Sequence, residues 1–178
     1  MKRILTILLL ISVAISFASC TDYRDNPTYS TITYKEKGLE ISLRNDMNRY
    51  ESEEYDFYFA NTIGTILFTA FELDEEFLAK NSLSADITAG EYVDYILKKS
   101  GLDKDELYYE ENTKKGVYSF RYTFDDQNGS KIFYYVVILG DPGNVWYVEM
   151  TCTNDDSERY LARFEEWRNT IKTYNEQN

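Results

Sequence analysis

Hydrophobic and polar positions are most regular between Gly116 and Ile171, and that stretch organises the chain. VYSFRYTF (117–124), KIFYYVVIL (131–139) and VWYVEMTC (145–152) read as three strands joined by the short turns DDQNGS and GDPGN. Tyr118, Phe120, Tyr122 and Phe124 alternate with Ser119, Arg121 and Thr123, so the first strand is expected to turn one face to a core and one to water. Phe133 to Leu139 has almost no polar position and is expected to lie inside the sheet with both faces covered. A helix follows, with Leu161, Phe164, Trp167 and Ile171 on one side. A three-stranded sheet needs such a cover for its apolar face.

Upstream, Ile32-Thr33-Tyr34 and Leu39 to Leu43 predict two short strands about a Lys-Glu-Lys-Gly turn, and Arg44 to Glu54 predicts an irregular helix or loop. Asp56 to Ala60 and Thr65 to Phe71 predict two more strands. Asp74-Glu75-Glu76 opens a short helix, its carboxylates favoured by the positive end of the helix dipole. Thr88-Ala-Gly-Glu91 has the spacing of a capping box and starts a helix that carries Tyr92, Tyr95 and Ile96 on one side and stops at Gly101. Leu107 to Glu110 is a further strand candidate.

These elements predict an α+β fold: an antiparallel sheet, with a meander in the C-terminal half, covered by helices on both faces as a three-layer α/β/α sandwich. The Gly38-Leu-Glu-Ile-Ser-Leu strand, the Glu91-Tyr-Val-Asp-Tyr-Ile helix, the three meander strands and the final Phe164-x-x-Trp167-x-x-Thr170-Ile171 helix together resemble the PsbP-like domain. That family comprises extrinsic photosystem proteins and many small bacterial lipoproteins. The resemblance covers roughly residues 38–172. It departs after the first strand, where Arg44 stands in place of a common proline. The family shares no catalytic motif, and the resemblance implies an adaptor or assembly partner on an extracytoplasmic surface.

The first residues follow a different logic. Lys2 and Arg3 precede an apolar run from Ile4 to Phe17, and small residues then lead to Cys20, the anatomy of a secretory signal. Ala18, Ser19 and Cys20 fit the bacterial lipobox, with Phe17 in place of the usual leucine. On this reading Cys20 receives a diacylglycerol thioether and becomes the mature N-terminus. The alternative is an ordinary signal with an incidental thiol. The expected organisation is a signal peptide over 1–19, a lipidated N-terminus and tether over 20–31, and one globular domain over 32–178. Each buried methylene of an acyl chain contributes about 0.8 kcal/mol, and stable anchoring takes more than one chain.

Charge and composition narrow the partners. Removing Lys2 and Arg3 from 19 basic side chains leaves 17 against 31 acidic ones, a formal charge of −14. Nucleic acid and anionic head groups would be repelled, so the membrane is reached through the lipid and not through the protein surface. Cys152, the one cysteine of the globular part, has no partner for an internal disulfide and reads as a small core residue.

The chain has no histidine, which excludes Ser-His-Asp and Cys-His catalysis and histidine zinc sites. Asp125 to Ser130 looks like a calcium loop, but aligning Gly129 with the loop glycine puts Phe124 and Tyr135 where carboxylates belong; Asn128-Gly129 is instead a hairpin signal. Glu53/Glu54, Asp103/Asp105/Glu106 and Glu110/Glu111 are the available carboxylate groups, and 31 acidic residues make such neighbours common by chance. No residue is assigned a catalytic or metal-binding role. Most of the 17 tyrosines suit half-buried strands; Tyr55, Tyr58, Tyr108 and Tyr109, beside acidic and less regular stretches, are the candidates for an exposed aromatic patch.

The function expected from the sequence is a non-enzymatic, monomeric lipoprotein at the extracytoplasmic face of the cell membrane. It needs no cofactor beyond the lipid on Cys20, and it presents an acidic, aromatic surface to an envelope protein. A module for a glycan or divalent cation is the alternative, with a carboxylate-dependent hydrolase behind it.

Overall fold

The computed structural model describes residues 29–126 and 128–174. Phe17, Ala18, Ser19 and Cys20 lie outside the described residues, as does most of the tether.

Two antiparallel sheets carry the fold. In the smaller, β1 (Thr31–Glu36) and β2 (Leu39–Arg44) form a hairpin, and β10 (Lys172–Thr173) pairs with the other edge of β2. Lys37 and Gly38 make the two-residue turn with φ of 51° and 83°, a pair of positive values that suits the twist of a tight hairpin. The larger sheet has the order β3-β4-β5-β9-β8-β7-β6. Its strands are β3 (Met47–Arg49), β4 (Phe57–Asn61), β5 (Ile66–Glu72), β6 (Tyr108–Asn112), β7 (Val117–Asp125), β8 (Lys131–Asp141) and β9 (Asn144–Thr153). The predicted meander is present as β7-β8-β9, and β9 lies at the centre of the sheet.

Side-chain alternation along β8 and β9 divides the interior into two cores. Tyr135, Val137 and Leu139, with Trp146, Val148, Met150 and Cys152, point to the side where Leu39, Ile41 and Leu43 of β2 pack. Tyr160, Phe164 and Trp167 of α3 (Ser157–Thr170) meet them there. Val136, Ile138, Val145 and Tyr147 point the other way, onto α1 (Glu75–Lys80) and α2 (Ala89–Ser100). Helices therefore cover both faces, and on the α3 side the small sheet shares the work. Cys152 is buried in this first core, where burial, then the Asp156 carboxylate, push its thiol up to about 12, so it packs as an inert apolar group.

Three local expectations are corrected. Arg44 to Glu54 contains no helix: Asn45 and Asp46 turn the chain into β3, a three-residue edge strand paired with β4. Only Met47 of that strand is buried, which is too short an alternation to read in the sequence. The second face of β7 is open to water only towards its end, at Thr123 and Asp125, because Ser119 is buried and Arg121 reaches Glu165 of α3 at 3.9 Å. In α2 the buried residues are Ala89, Tyr92, Val93 and Leu97, so the inward stripe is centred further round than Tyr95 and Ile96.

The capping box forms as its spacing predicts. Thr88 Oγ1 accepts from the Glu91 amide at 3.2 Å, and Glu91 Oε2 accepts from the Thr88 amide at 2.9 Å. The Thr88 amide, and then the Thr88 hydroxyl donating to the same oxygen at 2.9 Å, hold the Glu91 carboxyl below its usual range. Thr88→Ala leaves the Glu91 amide without its side-chain acceptor and is expected to lower stability by about 1 kcal/mol in a urea titration.

Candidate functional site: an acidic cavity with aromatic walls

A cavity of about 220 Å³ opens where the β1–β2 turn, the segment before β4, the end of β5 and the start of α1 meet. Each boundary is set by a short polar residue. Ser52 Oγ accepts from the amides of Glu54 and Tyr55 at 3.1 and 3.2 Å, a local turn that fixes Glu53, Glu54 and Tyr55 along one wall. Asp56 accepts from Lys37 Nζ at 2.8 Å and, through its other oxygen, from the Glu72 amide at 3.0 Å, tying the hairpin to the end of β5. Asp74 caps α1 by accepting from the Phe77 amide at 2.7 Å.

The lining has a strong sign. Glu53, Glu54, Asp56, Glu72, Asp74 and Glu76 face one ammonium, that of Lys37. Tyr55, Phe71 and Phe77 supply ring surface, with Phe71 lying 6.4 Å from Tyr55 and 5.3 Å from Phe77 between centroids. Tyr55 continues into Tyr58 at 6.1 Å, and Tyr58 into the half-exposed Tyr50 at 5.8 Å.

The sheet beneath carries a polar island. Thr69 of β5 and Glu149 of β9 are cross-strand partners, both buried and both on the side of Phe71 and Tyr147. Glu149 Oε2 accepts from the Tyr147 hydroxyl at 2.6 Å, and Thr69 Oγ1 is buried with no hydrogen-bond partner. Burial pushes the Glu149 carboxyl up to about 7, against the Tyr147 hydrogen bond, which lowers it. Burial first, then the carboxylates of Glu149 and Glu54, raise the Tyr55 phenol well above its ordinary range.

The four tyrosines singled out in the sequence fall in two places. Tyr55 lines the cavity, and Tyr58 packs beside it. Tyr108 and Tyr109 are on β6, at the far edge of the sheet, where Arg121 lies over the Tyr108 ring at 3.4 Å and the Lys104 ammonium over the Tyr109 ring at 4.0 Å. Their hydroxyls bond to Glu110 and Glu111 of the same strand. Glu53 and Glu54, noted as a carboxylate pair, line the cavity. Glu149 was missed, and its signal was visible: a single carboxylate inside the apolar run Val145 to Cys152, two residues from a tyrosine.

No protein-family model matches the chain, and no curated protein matches it. Solved structures do. LpqN of Mycobacterium tuberculosis, described as involved in cell envelope biogenesis, superposes with a TM-score of 0.52 at 11% identity over 85% of this chain and 94% of its own. A protein of Bacteroides thetaiotaomicron VPI-5482 gives 0.46 at 16% identity over 78% of this chain; the match spans 46% of that protein's length. The cyanobacterial PsbP protein CyanoP of Synechocystis sp. PCC 6803 gives 0.41 at 14% identity over 88% of this chain and 98% of its own. The likeness to LpqN is one of fold.

Proposed function

We propose that this chain is a non-enzymatic binding module, held at the extracytoplasmic membrane surface by lipid on Cys20, that docks an envelope protein at the acidic cavity beside Tyr55. The cavity carries the reading. It combines ring surface with concentrated negative charge, and its best-placed carboxylates serve the fold: Asp56 and Asp74 are engaged with backbone amides. Such a surface suits recognition of a protein better than bond cleavage. The lipobox-like Phe17-Ala18-Ser19-Cys20 supports the anchor, and the fold shared with LpqN, a protein of cell envelope biogenesis, agrees with an envelope role.

The intact mass of the membrane-fraction protein is expected to match the chain from Cys20 plus two or three acyl chains, and Cys20→Ala is expected to leave that fraction. A freely secreted, unlipidated product removes the anchor. A photo-crosslinking residue placed at the exposed Glu51 in intact cells is expected to give one dominant adduct with an envelope protein; no adduct from a correctly lipidated chain removes the docking role.

A further inference from the structure

Several features remain without a task in the fold. Glu53 is exposed and Glu54 half-buried, and among the described residues neither carboxylate has a hydrogen-bond or ion-pair partner, although Ser52 fixes the backbone that carries them. Tyr55, Phe71 and Phe77 offer ring surface within the same cavity. A cavity with ring faces and unpaired carboxylates is complementary to a cationic ligand that has several donors.

Three cations can be compared. A divalent metal wants several oxygens converging at one point, and among the described residues no three His, Cys, Asp or Glu side chains are grouped to hold one. An ammonium is a compact, strongly hydrated charge and gains little from a flat wall. A guanidinium is planar and weakly hydrated; it stacks on aromatic rings and directs five donors to carboxylates in a fixed fork. The cavity, at about 220 Å³ or roughly seven water volumes, is roomy enough for it.

We infer that the cavity receives an arginine side chain of the docked protein, its plane against Tyr55 and Phe71 and its donors directed to Glu53 and Glu54. The inference deepens the docking role and rests on it for the source of the arginine, but the site can be tested alone. The protein purified from membranes in detergent micelles is titrated with N-acetyl-arginine amide and followed by amide NMR. Saturable shifts are expected at residues 53–56 and 71–77. The neutral citrulline analogue and the lysine analogue are expected to bind several-fold more weakly, and Glu53→Gln with Glu54→Gln about tenfold more weakly. Neither position is in the core and both substitutions keep side-chain shape, so folding is expected to survive them. Shifts that do not saturate, that spread over the acidic surface, or that citrulline or calcium chloride reproduces at equal concentration overturn the inference. Saturable arginine binding with no envelope adduct from position 51 would remove the docking role and keep the pocket. An adduct that forms undiminished in the double variant would do the reverse.

Discussion

Phe164→Ala is expected to lower the free energy of unfolding by about 3–5 kcal/mol. Phe164 sits midway along α3, fully buried, with ring neighbours on strand β8 and on its own helix. It stacks on Phe133 at 6.4 Å and meets Tyr135 edge-on at 6.3 Å and Trp167 at 5.8 Å. Truncation removes the transfer energy of the ring and leaves a void between a helix and a sheet. Neither wall can close that void alone: β8 and β9 are held by ladders on both edges, and α3 is held by Arg163, whose ion pair to Asp46 at 3.2 Å is itself nearly buried. Phe124→Ala is the control. Phe124 is 46% exposed at the free end of β7, and its loss is expected to cost about 0.5 kcal/mol. Urea unfolding of the two variants measures the contrast, and equal losses would mean that α3 does not close the core.

That contrast also shows what was legible in advance. Both phenylalanines stand in apolar alternations, and the one-dimensional pattern gives them the same value. Phe164 is buried because a helix falls across the meander, while Phe124 lies beyond the reach of α2 on the other face. Period and capping made the long elements readable: β7, β8, β9, the Thr88 box and the stop at Gly101. Two features were hidden by long-range pairing. β10, two residues after α3, joins β2 across most of the chain length, and that pairing separates a small sheet from the large one. The cavity is assembled from four segments between Lys37 and Phe77, each of which alone is a plain turn, cap or strand end. Tyr55 and Glu53/Glu54 could be named from composition, but the Phe71 and Phe77 walls could not, since buried phenylalanines read as core until their neighbours are known.

Glu149→Gln is expected to stabilise the protein by about 3 kcal/mol at pH 8 and by less than about 0.5 kcal/mol at pH 4.5 or below. Burial raises the folded-state value of Glu149 to about 7 from an ordinary 4.5, and the Tyr147 hydroxyl opposes that rise without cancelling it. Between those two values the folded chain keeps a proton that the unfolded chain has lost. Stability from this group is therefore complete below 4.5, falls as pH rises towards 7, and stays at its lower level above it. The groups facing Glu149 do not blur the window: Tyr55, Tyr122, Tyr134 and Tyr147 are all raised by burial first and remain neutral throughout it. Glutamine keeps a carbonyl for the Tyr147 hydroxyl and adds an amide donor beside the unpartnered Thr69 hydroxyl, so the substitution removes the charge without orphaning a neighbour. Alanine would confound the comparison by doing both. Urea midpoints for wild type and Glu149→Gln at pH 4.5, 5.5, 6.5 and 8 give the difference directly, and exposed carboxylates common to both proteins cancel from it. Curves that run parallel across this range would mean that Glu149 is solvated or paired in solution. A gap that widens with pH would establish a carboxyl held against its own ionisation at the centre of the sheet.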